Sequence, residues 1–186
     1  VLVTLDNNKR ILTNEDIVIT NGKEVIGLAG AMGGLTTEIN NDTKNVVIES
    51  AIFNPINIRK TSKKLLRSEA SIRFEKGLDV NRTYMAIDRA CYLLEKYASA
   101  SVCDGMLEYN TLDREEKNID ISLDKINSVL GYNLSTIDVS CVFDKLNFKY
   151  SIKEDIFKVT IPTRRIDISI PEDLIEEVGR VYGVDN

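Results

Sequence analysis

From Ile161 to Gly183 the chain reads I-P-T-R-R-I-D-I-S-I-P-E-D-L-I-E-E-V-G-R-V-Y-G, an order that leaves the backbone little freedom. It predicts the end of a strand, a basic turn, an extended segment, and then a helix opened by Pro171. Proline suits the first helical position because its missing N–H would have no partner there anyway. Leu174, Ile175, Val178, Val181 and Tyr182 recur at helical spacing and mark the buried face, and Gly183 is the stop. Asp173, Glu176 and Glu177 crowd the first turns, where the helix dipole favours negative charge. Those carboxylates have two readings: a solvated helix start, or a magnesium site. With Asp167 they supply hard oxygen donors from two adjoining segments.

The run P-T-R-R-I-D, then Asp173 and L-I-E-E-V-G-R-V-Y-G, resembles the fifth domain of the bacterial phenylalanyl-tRNA synthetase beta-subunit family. In that family the matching carboxylates, here Asp167, Asp173, Glu176 and Glu177, are magnesium ligands in a site shared with the alpha subunit. The resemblance favours the magnesium reading over the solvated helix start.

The composition limits what else the chain can do. There is no histidine among the 186 residues, which excludes Ser-His and Cys-His nucleophilic machinery and every His-containing zinc site. Carboxylates, hydroxyls, backbone amides and bound metal remain, so a self-sufficient enzyme is not expected. Cys91, Cys103 and Cys141 lack C-x-x-C spacing, and reduced thiols of a cytoplasmic protein are the expectation. No apolar run suits a membrane span or a signal peptide. Val1 enters at a strand without an initiator Met, as in a piece of a longer chain. Residues 1–110 hold 14 Lys/Arg against 14 Asp/Glu, whereas residues 111–186 hold 10 against 15. An acidic second half is poorly suited to unspecific duplex binding, where phosphate contacts dominate affinity.

Along the chain the fold class reads as α+β: a mixed β/α portion, then a small winged-helix-like α/β domain. The expected boundaries are 1–110, a linker at 111–117, and 118–186. Ile17–Thr20 and Val25–Leu28 flank a hairpin signal at Asn21-Gly22. The run G-L-A-G-A-M-G-G from Gly27 to Gly34 reads as a tight β turn and fails as a phosphate loop. Val46–Phe53 looks like a buried strand, with Glu49 on its solvent face or lining a pocket.

Asn54-Pro55 opens a helix carrying Arg59, Lys60, Lys63 and Lys64, with Arg67 just after. Such a run is usually a solvated face, but this dense basic patch is also where RNA contact is expected. Arg67–Asp79 reads as extended, followed by a helix over about residues 80–97 with Met85, Ile87, Ala90, Cys91, Leu94 and Tyr97 as its core face. Ala100–Tyr109 reads as a strand. Ser122 and Ser135 are expected to cap two short helices, the second with Ile137, Val139, Val142, Phe143 and Leu146 apolar. Phe148–Ile152 and Ile156–Ile161 form a hairpin.

A second resemblance lies in L-A-G-A-M-G-G, V-V-I-E-S-A-I-F and L-R-S-E-A-S-I-R-F-E-K-G-L-D, which are similar to the C-terminal part of the editing domain of the same family. It implies editing-pocket walls at Gly33, Glu49, Ser68 and Ala70, with Gly30 supporting the turn. The pocket would hydrolyse tyrosine wrongly attached to the phenylalanine tRNA. A carboxylate that accepts from the tyrosine hydroxyl rejects phenylalanine, which would leave that group unpaired. The resemblance also implies pocket residues, including a histidine, that lie before Val1.

The parent enzyme so implied is an ATP- and Mg2+-dependent heterotetramer of two alpha and two beta subunits acting on tRNA(Phe). Aminoacylation belongs to its alpha subunit, so no catalytic residue is expected in this chain and ATP is not expected to bind here. Two other classes stand beside this one: a winged-helix DNA-binding module, and an interface module whose carboxylates form ion pairs.

Overall fold

The computed structural model describes residues 1–112 and 115–183, and the chain divides into two compact units, Val1–Tyr109 and Asn110–Asn186. Residues 113, 114 and 184–186, which include part of the expected linker and the end of the second expected domain, lie outside the described residues.

The first unit starts with a two-stranded antiparallel ribbon, β1 (Leu2–Val3) on β2 (Lys9–Arg10). A three-stranded meander follows, with β4 (Val25–Leu28) between β3 (Val18–Thr20) and β5 (Met32–Gly33). The Asn21 side chain accepts from the Lys23 and Glu24 amides at 3.0 and 2.8 Å and closes the expected hairpin turn. Helix α1 (Pro55–Lys64) begins at an Asn54 cap that accepts from the Ile56 and Asn57 amides. Its other end is tied back to β2, where the Arg10 guanidinium donates to the Leu65 carbonyl.

Three expectations fail in this unit. Val46–Phe53 is not a strand: no described strand offers it an edge, and Val47 is fully exposed. Ala100–Tyr109 is likewise irregular, with Leu107 and Tyr109 in solvent. Arg67–Asp79 is not extended throughout but holds a short helix, α2 (Glu69–Phe74). Its cause is local. Ser68 accepts from the Ser71 amide while the Ser71 hydroxyl accepts from the Ser68 amide, and this reciprocal cap outweighs the alternating pattern. Helix α3 (Arg82–Ala98) lies where expected, but it carries no fully buried residue, and Met85 and Tyr97 are exposed.

In the second unit, β8 (Ile156–Ile161) lies between β6 (Lys117–Ser122) and β7 (Lys149–Lys153), all antiparallel. The sequence reading missed β6, whose inward Ile119 and Ile121 sit opposite Val159 and Phe157. Helices α4 (Leu123–Leu130), α5 (Thr136–Lys145) and α6 (Pro171–Tyr182) cover the apolar face. Ser122 and Ser135 cap α4 and α5 as expected, and Gly131 ends α4 in the left-handed conformation. Fully buried Phe143 meets Phe157 edge-on, with ring centroids 5.5 Å apart. Leu174, Ile175 and Val178 fill the face of α6 that their spacing predicts, while Ile137 is exposed. The architecture is α+β. Among the described residues no helix is long and apolar enough to cross a membrane.

Candidate functional site

In the second unit the stretch after β8 brings two of the four expected carboxylates, Asp167 and Glu177, to Arg165. Its guanidinium donates from Nε to both Asp167 oxygens at 2.9 and 3.1 Å, and from Nη1 to Glu177 at 3.1 Å. It also lies over the Phe148 ring, 5.5 Å from its centroid. Glu177 is 9% exposed and takes two more hydrogen bonds from Arg180, at 3.1 and 2.6 Å. Arg180 and then Arg165 hold the Glu177 carboxyl below its ordinary value, against burial that would raise it. Hydrogen bonds from Arg165 do the same for Asp167.

Asp173 has a different task. It accepts from the Ser169 and Ile170 amides at 2.7 and 3.0 Å, and these bonds depress its carboxyl and close the N-terminus of α6. Glu176 is exposed on the outer face of the same helix. Sequence reading left the partner of Arg165 undecided and gave Arg180 no role. The i,i+3 spacing of Glu177 and Arg180 was the one available signal.

This geometry does not make a metal site of the four carboxylates by themselves. Arginines occupy the acceptor positions of Asp167 and Glu177, and one Asp173 oxygen is committed to the backbone. Among the described residues no three Asp, Glu, Cys or His side chains come together in a group that could hold an ion.

In the first unit Gly30 and Ser68 meet through the turn between β4 and β5. Gly30 has φ +63°, and a Cβ there would lie 3.2 Å from Ile58 on α1 and Phe74 on α2. Ser68 donates to the carbonyl of the next turn residue, Ala31, at 2.8 Å. Gly33 is exposed at the end of β5. The close backbone approach in this segment belongs instead to Gly34, where a Cβ would stand 2.7 Å from the Ile26 carbonyl oxygen.

The remaining two residues expected as walls are Glu49 and half-buried Ala70. Glu49 is exposed by area, yet desolvation raises its carboxyl above the ordinary value, so part of the group faces protein. It makes no hydrogen bond or ion pair among the described residues. Ser50 next to it anchors the segment by donating to the Thr83 carbonyl at 2.8 Å.

The expected basic patch divides. Lys60 pairs with Glu15 at 3.9 Å, and Lys64 with Asp16 at 3.5 Å. Burial would raise the Asp16 carboxyl, but hydrogen bonds from Thr13 and Thr61, with Lys64 nearby, leave it lowered. Arg59, Lys63 and Arg67 turn the other way and line an open cleft of about 230 Å³ with Glu75 and Lys76. The last two were not among the expected residues.

Two families match the chain in order: "B3/4 domain" over residues 1–99 and "tRNA synthetase B5 domain" over residues 119–184. The phenylalanine-tRNA ligase beta subunit of Staphylococcus saprophyticus is 50% identical over 185 residues, covering 99% of this chain and 23% of that protein. The Staphylococcus aureus subunit of the same name is 48% identical over 186 residues, covering 100% and 23%. Among solved structures, an N-terminal fragment of the Pyrococcus horikoshii phenylalanyl-tRNA synthetase beta subunit is similar at 27% identity, over 39% of this chain and 21% of that one, with a TM-score of 0.36. The chain thus spans about a quarter of the length of the curated relatives it matches. With both domain families in order and half the residues identical from end to end, the chain belongs to the phenylalanine-tRNA ligase beta-subunit family.

Proposed function

We propose that the chain works as part of a cytoplasmic phenylalanine-tRNA ligase, which joins phenylalanine to its tRNA using ATP and magnesium. The observation that carries this reading is the 48–50% identity, over the length of this chain, with part of two beta subunits of that name. The partners would be an alpha subunit, in an assembly of two alpha and two beta, and tRNA(Phe). The chain would supply walls and contacts rather than the aminoacylation centre.

Residues 1–109 would contribute to an editing pocket through Gly30, Gly33, Glu49, Ser68 and Ala70. Support comes from the unpartnered, partly desolvated Glu49 carboxylate, an acceptor free to take the hydroxyl of a tyrosyl group. Its test is hydrolysis of tyrosyl-tRNA(Phe) by the assembled enzyme, native against Glu49→Ala. Hydrolysis that loses its preference for tyrosine over phenylalanine in the variant is expected, and unchanged discrimination would reject the role.

A second reading of residues 161–183 is favoured by the Arg165–Glu177–Arg180 network, which suits a structural interface. Magnesium at Asp167, Asp173, Glu176 and Glu177, as the resemblance implies, would require Arg165 to leave Asp167 and further donors from the alpha subunit and water. A DNA-binding role is disfavoured by the acidic second half.

A further inference from the structure

The cations of α1 differ in what they face. Lys60 and Lys64 are paired with Glu15 and Asp16. Arg59 and Lys63, one helical turn apart, share the cleft with Arg67 from beyond the helix and Lys76 from beyond α2. Arg59, Lys63 and Lys76 make no ion pair among the described residues. Arg67 is held by Glu75 at 3.6 Å, with the Glu75 side chain 15% exposed. Four cations therefore surround one carboxylate in a concave site, where field lines concentrate.

The cleft is also built on a firm support. Ser62 and Ser71, both buried, are joined at 3.2 Å and tie α1 to α2, so the backbone beneath the cleft is held in place before any ligand arrives. Unpaired cations on a preformed concave wall match a phosphodiester, whose oxygens accept from arginine forks and lysine ammonium groups alike.

We infer that this cleft, and not the whole basic run, grips the phosphate backbone of bound RNA, with Arg59, Lys63 and Lys76 as the contacting cations and Glu75 as the carboxylate that positions Arg67. The inference rests on the proposed tRNA role of the chain, and it divides that role between residues that touch RNA and residues that hold the fold.

The test is tRNA(Phe) affinity of the assembled enzyme over a salt series. Arg59→Gln/Lys63→Gln is compared with Lys60→Gln/Lys64→Gln, which removes the same charge. The cleft pair is expected to weaken binding about tenfold and to lower the salt slope by about 2, near one per lost phosphate contact. The control pair is expected to leave both unchanged. Glu75→Gln is expected to tighten binding by about twofold, a gain that misfolding does not produce. Equal losses in the two pairs would overturn the cleft in favour of net charge alone. Unchanged affinity in the cleft pair, with tRNA still bound, would reject the cleft and leave the tRNA role standing. Native enzyme that fails to bind tRNA would remove both. Poly-glutamate binding that depends on the cleft pair, with tRNA binding indifferent to it, would assign the cleft to an acidic peptide and overturn the inference.

Discussion

The two units bury different things. Of the buried apolar residues among those described, fifteen form the core of the second unit, whereas the first unit has Leu2, Leu28, Ala29 and Ile58. The first unit instead buries Thr4, Thr61, Ser62 and Ser71, and leaves Val47, Leu107 and Tyr109 in solvent. A closed apolar core supports itself through area removed from water. An interior of hydroxyls holds its geometry only while each hydrogen bond is made, because net stabilisation per bond is small and the cost of an unmade one is large. The second unit is thus a self-contained packing problem, and the first is a scaffold of turns and caps around exposed surfaces. The candidate sites differ as well: an arginine-carboxylate network around nearly buried Glu177 in one unit, and in the other an open cationic cleft and, outside its lining, the unpartnered Glu49 carboxylate.

The sharpest way to break this comparison is truncation in each core. Phe143→Ala removes a fully buried ring that touches Phe148, Tyr150 and Phe157, and is expected to cost about 3–5 kcal/mol. Ile58→Ala in the first unit has few buried apolar neighbours and is expected to cost less, about 2 kcal/mol. Denaturant titrations with a probe in each unit check both values. Equal costs would mean that the first unit is as tightly packed as the second.

Next in size is Arg165→Ala, expected to cost about 1–3 kcal/mol because it strips a partner from nearly buried Glu177. The same variant tests a pH effect. Asp167 and Glu177 have folded-state values below their ordinary 3.8 and 4.5, so their contribution is fully present above those values. It is lost as pH falls through the depressed values. Melting temperature of the second unit should therefore hold from neutral pH to about 5 and drop in stronger acid, and Arg165→Ala should flatten that drop. A variant with the full acid dependence would show that Arg165 is not what depresses the carboxyls.

The smallest effect is expected at Glu49. Desolvation raises its carboxyl, so its contribution is present below the ordinary 4.5 and is lost as pH rises through the folded value. At neutral pH its charge is a mild liability, and Glu49→Gln should leave the melting temperature of the first unit unchanged or slightly higher. A clear loss of stability would reveal a partner for Glu49 and remove the reason to read it as a pocket wall.

Signals confined to a few neighbouring residues were legible in advance. Asn54-Pro55, Ser122, Ser135 and Pro171 each start a helix where the sequence places it, because a cap needs only a side chain and the amides just beyond it. Signals that depend on a distant edge were not. The apolar run Val46–Phe53 looks like a strand and finds no ladder, while the charged Lys117–Ser122 becomes one because β8 offers it an edge. In the candidate sites, residue types were readable and pairings were not. Lys60 and Lys63 look alike in the sequence; one faces Glu15 and the other a cleft.

By itself, the sequence determined the family, the α+β class, the helix starts and the chemical inventory: no histidine, four carboxylates near α6 and a basic run on α1. These follow from local conformational preference and from side-chain identity, which need no tertiary contact. Only the tertiary structure decided which arginine neutralises which carboxylate, which lysines stay unpaired, and which apolar runs are covered. Lys60 and Lys64 find their carboxylates some forty-five residues away. Even Arg165, close in sequence to Asp167 and Glu177, is placed by the packing of α6, because Coulomb attraction and burial depend on distance in space and not on residue order.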